Sequence, residues 1–175
     1  MFALLLATLT TIAAEPAVIP RPVTMEVREG APFEFKSGTV VLAREAGEAL
    51  HHVTDLVKAC TGETPRVVRS SLGQSSVPMI TVERQLSLGA EAYELSVGGL
   101  RCDIRYGDDA GLFYAVQTLR QLLPPAVENP AFRDAVRWTV PAVEVKDKPR
   151  FSWRGMHLDV SRHFFPLTFI TRFSD

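Results

Sequence analysis

The sequence predicts an α+β domain over residues 18–148, an antiparallel sheet with two helices packed on one face. Three observations carry this. Apolar residues recur at helical spacing from Arg44 to Thr61, and again from Asp108 or Asp109 to about Leu123. Two alternating segments flank Gly98-Gly99, a hairpin pattern. Short apolar runs elsewhere are punctuated by Gly and Pro, as strands are. Helices and strands of this kind bury their apolar faces against each other in two layers.

Composition sets the outer bounds. The 175 residues are 46% hydrophobic and 22% charged, with a formal net charge of -1. That suffices for one good core and gives no bulk electrostatic pull toward nucleic acid or an anionic membrane. Residues 1–17 read as a signal peptide and lead-in segment, so export to the periplasm or the exterior is expected. Phe2 to Ala14 is apolar and ends in small residues before Glu15-Pro16. The basic n-region is missing, and the run is shorter than the ~20 residues a membrane span needs. The other reading is an apolar strand or helix of the mature fold, but the run has neither period.

Ile19-Pro20-Arg21-Pro22 is stiff, and Val23 to Val27 suits an edge strand. Gly30, Pro32 and Gly38 break short strands around Phe33–Phe35 and Thr39–Leu42. In the first helix, Ala46, Ala49, Leu50, Val53, Leu56, Val57 and Cys60 form one stripe. Gly62 follows where a left-handed cap favours glycine, and Pro65 blocks continuation. His51 and His52 adjoin on this helix, about 100° apart, with no acidic or Cys partner at ligand spacing. They read as solvated residues, and no metal is expected.

Arg66–Val68 and Met79–Glu83 read as strands separated by Ser70–Ser76. In the hairpin, Tyr93, Leu95 and Val97, then Leu100, Cys102, Ile104 and Tyr106, form the apolar rows. Glu94, Ser96, Arg101, Asp103 and Arg105 form the polar rows, expected to face solvent. Leu112, Val116, Leu119 and Leu123 stripe the second helix, which Pro124-Pro125 stops. Gly111 costs this helix about 1 kcal/mol relative to Ala, which predicts close approach to the sheet. Glu128–Asp134 is loop-like. Val136–Val140 and Ala142–Val145 are short strands joined at Pro141, and Lys146–Pro149 is a linker. Cys60 and Cys102 both fall on apolar faces. They are either buried thiols or, if the helix packs on that strand in an oxidising compartment, a disulfide.

The most informative stretch runs from Pro149 to Phe164. Trp153, Gly155, His157 and Asp159 share one face of an extended chain; Arg154, Met156, Leu158 and Val160 share the other. That predicts a strand with a polar side and a packing side. Ser161-Arg162-His163 follow at its C-terminal end, and Pro166 opens a helical pattern. A guanidinium there has two readings: a fork of donors for vicinal sugar hydroxyls, or a structural ion pair with Asp159. His157 and His163 read as packing residues, Trp153 as core, and Arg150 and Arg154 as structural pairs at the domain junction.

Pro149-Arg150-Phe151, Trp153-Arg154-Gly155, Leu158-Asp159 and Arg162-His163-Phe164-Phe165 together resemble the start of the catalytic barrel in family 20 glycoside hydrolases, the β-N-acetylhexosaminidases. Glu91-Ala92-Tyr93-Glu94-Leu95 resembles a second family motif. So does Ala110 to Leu122, with Ala115 where Gly is usual, and Ile19-Pro20-Arg21-Pro22 resembles the family's opening. The resemblance covers about Val18 to Asp175. It implies that residues 18–148 are the family's non-catalytic N-terminal domain. Residues 149–175 would then be the first strand and the start of the first helix of a truncated (β/α)8 barrel.

It further implies a carbohydrate substrate ending in N-acetylhexosamine and no cofactor. Arg162 would hold sugar hydroxyls, with Asp159 orienting it. In the family a neighbouring Asp-Glu pair on a later strand does the chemistry: Glu protonates the leaving oxygen, and Asp orients the substrate's acetamido group, which attacks the anomeric carbon with retention. After Pro149 the only acidic residues are Asp159 and Asp175. A barrel also needs about 250 residues. So no catalytic residue is expected in this chain, which reads as the N-terminal fragment of an exported hydrolase. The alternatives are a non-catalytic carbohydrate-binding or docking module, or the accessory domain of another barrel hydrolase.

Overall fold

The computed structural model describes residues 16–45, 47–70, 76–129, 131, 136–155, 157–160, 162 and 164–174. The elements in chain order are β1 (Thr24–Val27), β2 (Phe33–Phe35), β3 (Val40–Ala43), α1 (Leu50–Thr61), β4 (Arg66–Val68), β5 (Met79–Arg84), β6 (Tyr93–Gly98), β7 (Arg101–Tyr106), α2 (Asp109–Leu122), β8 (Trp138–Val140), β9 (Val143–Asp147) and α3 (Leu167–Ser174).

The main sheet runs β1-β9-β6-β7-β5-β3-β4. It is antiparallel from β1 to β7 and parallel from β7 through β5 and β3 to β4. The expected antiparallel sheet is therefore corrected to a mixed one. Alternation in sequence reports which face is buried and is the same for either strand direction. Direction follows from the connections: α1 carries the chain from β3 back over the sheet, so β4 returns parallel to β3.

The hairpin register is Gly98 opposite Arg101. The turn residues are therefore Gly99 and Leu100, one position later than the sequence pattern suggests. Only Gly99 takes a left-handed φ, +57°, which the first position of a primed turn requires. Tyr93, Leu95, Val97, Cys102, Ile104 and Tyr106 are buried. On the other face Glu94 pairs with Lys146 at 2.9 Å and Arg105 at 3.6 Å, and Arg28 pairs with Glu144 at 2.7 Å. α2 lies against β6 and β7, and α1 lies against α2 and β2. β2 and β8 form a two-stranded ribbon that adds Phe33, Phe35, Trp138 and Val140 to the core.

α1 begins at Leu50, not Arg44. Ala49 precedes it and has no side chain to accept from the first free N–H groups. The helix instead opens through tight three-residue turns, with the N–H groups of Leu50, His51 and His52 bonded to the carbonyls of Gly47, Glu48 and Ala49. Ala46 lies outside the described residues. The other end is as expected: Gly62 sits at φ +80° and donates to the Lys58 carbonyl.

α2 starts on Asp108, whose carboxylate accepts from the Gly111 N–H at 2.9 Å. A Cβ on Gly111 would lie 2.5 Å from the Ala92 carbonyl oxygen. Helix and sheet thus approach to a distance only glycine allows, which accounts for a weak helix former in the first turn. Gly107 is tighter still, with its Cβ position 1.7 Å from the Gly89 oxygen. Cys60 and Cys102 are both buried, and no disulfide joins them.

Beyond the linker, the expected strand between Pro149 and Phe164 is absent among the described residues. Met156, Ser161 and His163 lie outside them. Extended residues become a strand only by pairing, and no described strand runs alongside. Trp153, expected in the core, is 84% exposed, and Phe151 and Phe164 are exposed too. α3 does form. Its first turn is closed by the Phe169 and Ile170 N–H groups donating to the Pro166 carbonyl, and Phe165 stacks on Phe169.

Candidate functional site

Arg162 and Asp159 are brought together. Arg162 Nε stands 3.5 Å from Asp159 Oδ2, and the two side chains are 85% and 43% exposed. An ion pair so solvated contributes little to stability. It leaves the guanidinium largely in water, where a ligand can reach it. His157 is exposed and joins no packed core.

The described residues place no carboxylate pair around Arg162, and none of them gathers three or more metal-ligating side chains. Arg162 presents planar N–H donors at this exposed position.

The second cluster lies where the linker meets the α+β domain. Arg154 donates through Nη1 and Nη2 to the two Glu91 carboxylate oxygens, one bond being 3.3 Å and the other short. Nη2 also donates to the Tyr114 hydroxyl at 2.9 Å, and Nη1 to the Phe151 carbonyl at 2.5 Å. The guanidinium sits 5.7 Å from the Tyr114 ring centroid. Hydrogen bonds from Arg154 hold the Glu91 carboxyl below the usual carboxylate range, and the same bonds raise the affinity of Arg154 for its proton.

Glu91 is held in an unusual backbone state. Its φ is +60°, left-handed for a residue that bears a Cβ. The Glu91 N–H donates to Asp108 Oδ1 at 2.9 Å, the same oxygen that caps α2. Arg154 forms the structural pair expected of it at the junction. Arg150, expected to do likewise, makes no ion pair among the described residues. Glu91 was legible only as part of a motif, because nothing in Glu-Ala-Tyr signals a positive φ or a distant Arg.

Beside this cluster runs a groove of about 890 Å³, lined in part by Ile19, Tyr114, Gln121, Arg150 and Phe151. The Tyr93 hydroxyl lies 2.6 Å from Thr118 Oγ1 and donates to Asp147 Oδ2 at 3.4 Å. Burial pushes the Tyr93 pKa up, so the phenol stays neutral. Gln121 grips Ile19 from both sides: its oxygen accepts the Ile19 N–H at 2.8 Å, and its amide donates to the Ile19 carbonyl at 3.0 Å.

Residues 15–148 match the family described as Glycosyl hydrolase family 20, domain 2. A β-N-acetylhexosaminidase of Cellulomonas fimi is 38% identical over 152 residues, 85% of this chain and 29% of that protein. A β-hexosaminidase of Porphyromonas gingivalis is 31% identical over 159 residues, 90% of this chain and 20% of that protein. Among solved structures, the family 20 β-N-acetylhexosaminidase from Streptomyces coelicolor A3(2) matches with a TM-score of 0.69 at 34% identity, over 91% of this chain and 33% of that one. A mutant Streptomyces plicatus β-hexosaminidase in complex with product, GlcNAc, matches with a TM-score of 0.69 at 33% identity, over 92% and 32%. The chain spans less than a third of the length of these two curated relatives. The domain match spans every strand of the mixed sheet and its two helices, and the chain belongs to glycosyl hydrolase family 20.

Proposed function

We propose that this chain is the N-terminal part of an exported β-N-acetylhexosaminidase, which removes terminal N-acetylhexosamine residues from glycosides. Residues 1–17 are the signal peptide and lead-in, and residues 149–175 open the (β/α)8 barrel. The observation that carries this reading is the domain 2 match over residues 15–148, followed directly by the Leu158-Asp159 and Arg162-His163-Phe164-Phe165 stretch.

In this reading Arg162 donates to hydroxyls of the terminal sugar, and Asp159 orients the guanidinium and balances its charge. The 3.5 Å approach of the two side chains and the exposure of Arg162 support that role. Contacts to such non-reacting hydroxyls help hold the ring in the distorted geometry that the reaction needs. The proton donor and the carboxylate that orients the acetamido group belong to chain following Asp175. The substrate supplies its own nucleophile, so configuration is retained.

The test is an assay of two proteins on an aryl N-acetyl-β-glucosaminide: this 175-residue chain, and the same chain continued through its barrel. The continued protein is expected to turn over substrate, with NMR showing the β-anomer as first product. The 175-residue chain is expected to match a heat-treated control. Turnover by the short chain, or none by the long one, would overturn the proposal.

A further inference from the structure

We propose that Glu91, Arg154 and Tyr114 form a latch. It fixes the start of the 149–164 stretch on the α+β domain and so sets where Arg162 stands, which makes Glu91 and Arg154 positioning residues for the sugar site. The positioning role rests on the hexosaminidase reading above; the latch itself does not.

Three observations converge on it. Arg154 is tied at once to β6's leading loop through Glu91, to α2 through the Tyr114 hydroxyl and to its own chain through the Phe151 carbonyl. The neighbouring aromatic residues Phe151 and Trp153 are exposed, so packing does not hold this segment and the polar contacts do. Glu91 adopts a left-handed backbone that residues with a Cβ rarely take up and that persists only where surrounding contacts fix it.

The contact that fixes Glu91 is Asp108 Oδ1, which accepts from both the Glu91 and the Gly111 N–H groups. One carboxylate thereby sets the start of α2 and aims Glu91 at the linker. Tyr114 stands on the next turn of α2 and donates to Glu91 Oε1 at 3.4 Å. The latch is built on the capped start of α2 and the loop before β6, and Arg162 lies eight positions further along the chain it holds.

The test has two arms. Trypsin must take the Arg154 guanidinium into its own pocket to cut the Arg154–Gly155 bond, so the latch protects that bond. In the 175-residue chain, Glu91→Gln is expected to speed this cut by about 2- to 5-fold, the range for a partly exposed ion pair. Glu94→Gln, which removes a carboxylate from the open sheet face, should leave the rate unchanged. Mass spectrometry of the fragments reads both. An unchanged rate in Glu91→Gln, with its unfolding midpoint near the parent's, overturns the latch.

In the barrel-containing protein, Glu91→Gln is expected to lower kcat/KM. The same substitution in an Arg162→Ala background should then add little, because the effect passes through Arg162. Full additivity overturns the positioning role and leaves the latch. If the unsubstituted full-length protein is inactive while the trypsin arm behaves as expected, the hexosaminidase reading falls, and the positioning role with it; the latch stands.

Discussion

Arg162 and Glu91 are both charged residues in ion pairs, the first exposed and the second partly buried, and they differ in what surrounds them. The partner of Arg162 lies three residues away on the same stretch of chain, so the pair fixes little beyond its own rotamers. In the barrel-containing protein, Arg162→Ala is expected to lower kcat/KM on an aryl substrate by roughly 1.5–3 kcal/mol, the size of hydrogen bonds made by a charged group. Arg162→Lys should recover little, since an ammonium lacks the planar fork. Arg105→Ala, on the charged face of the hairpin, should change kinetics hardly at all.

Glu91 gives a pH prediction whose sign can be worked out. Hydrogen bonds from Arg154 lower its folded pKa. Its contribution is therefore present above the unfolded value, about 4.3, and is lost as pH falls through the lower folded value. Of the groups around it, Tyr114 donates a hydrogen bond, which also favours the charged form, whereas the Asp108 charge opposes it. An NMR titration of the Glu91 carboxyl carbon should give a midpoint below the usual carboxylate range. In Arg154→Gln that midpoint should rise. A midpoint that stays put would mean the two side chains do not hold each other in solution.

At the scale of elements, α2 is fixed by two residues the sequence does expose. Asp108→Ala removes the N-cap, an effect of about 1 kcal/mol in general, and also removes the acceptor for the Glu91 N–H. A larger loss than capping alone is expected in urea denaturation. Gly111→Ala sets two effects against each other. Helix propensity favours Ala by about 1 kcal/mol, but the new Cβ would sit 2.5 Å from the Ala92 oxygen. Backbone on both sides leaves no flexible group to yield. The clash should win, with a net loss of about 1–3 kcal/mol, as overpacking gives. A rise in the denaturation midpoint would show that α2 can back away from the sheet.

These elements also show what a sequence can and cannot reveal. Periodicity located the faces: Leu95, Val97, Cys102 and Ile104 are all in the core, and Arg101 and Arg105 are in water. Caps that act through a side chain or a glycine, Asp108 and Gly62, were legible because the residue type is the mechanism. The start of α1 was not, since a helix opening on Gly47-Glu48-Ala49 carries no side-chain signal. Strand direction was not legible either, because Met79–Arg84 reads alike beside a parallel or an antiparallel neighbour. At the candidate site, the ion pair of Asp159 with Arg162 was legible as one of two readings of that guanidinium, and the pair is present. The reach of Arg154 to Glu91 was not, as it depends on how the sheet folds the chain back on itself.

For the whole molecule, the two parts of the described chain should differ in stability. Up to Asp147, helices and strands share one buried core. From Phe151 onward the described residues include one helix and no paired strand, with exposed aromatic side chains. Hydrogen exchange is expected to be slow in β6, β7, α1 and α2 and fast from Trp153 onward. Slow exchange across residues 157–160 in a monomer would refute the division.

The order of strands in the sheet has a consequence for how the protein is made. β1 has a single neighbour, β9, and their register sets Thr24 against Lys146. β6, the next strand in, has its hairpin partner β7 as soon as that turn is synthesised. A nascent chain emerging N-terminus first must therefore carry β1 unpaired while almost the entire domain follows it. It can seal this edge only when Val143–Asp147 appears. Pairings so distant along the chain are slow to form and leave a strand edge open meanwhile. The last strand of the domain to be translated is the one that retains the first, and it does so just before the linker that carries Arg154.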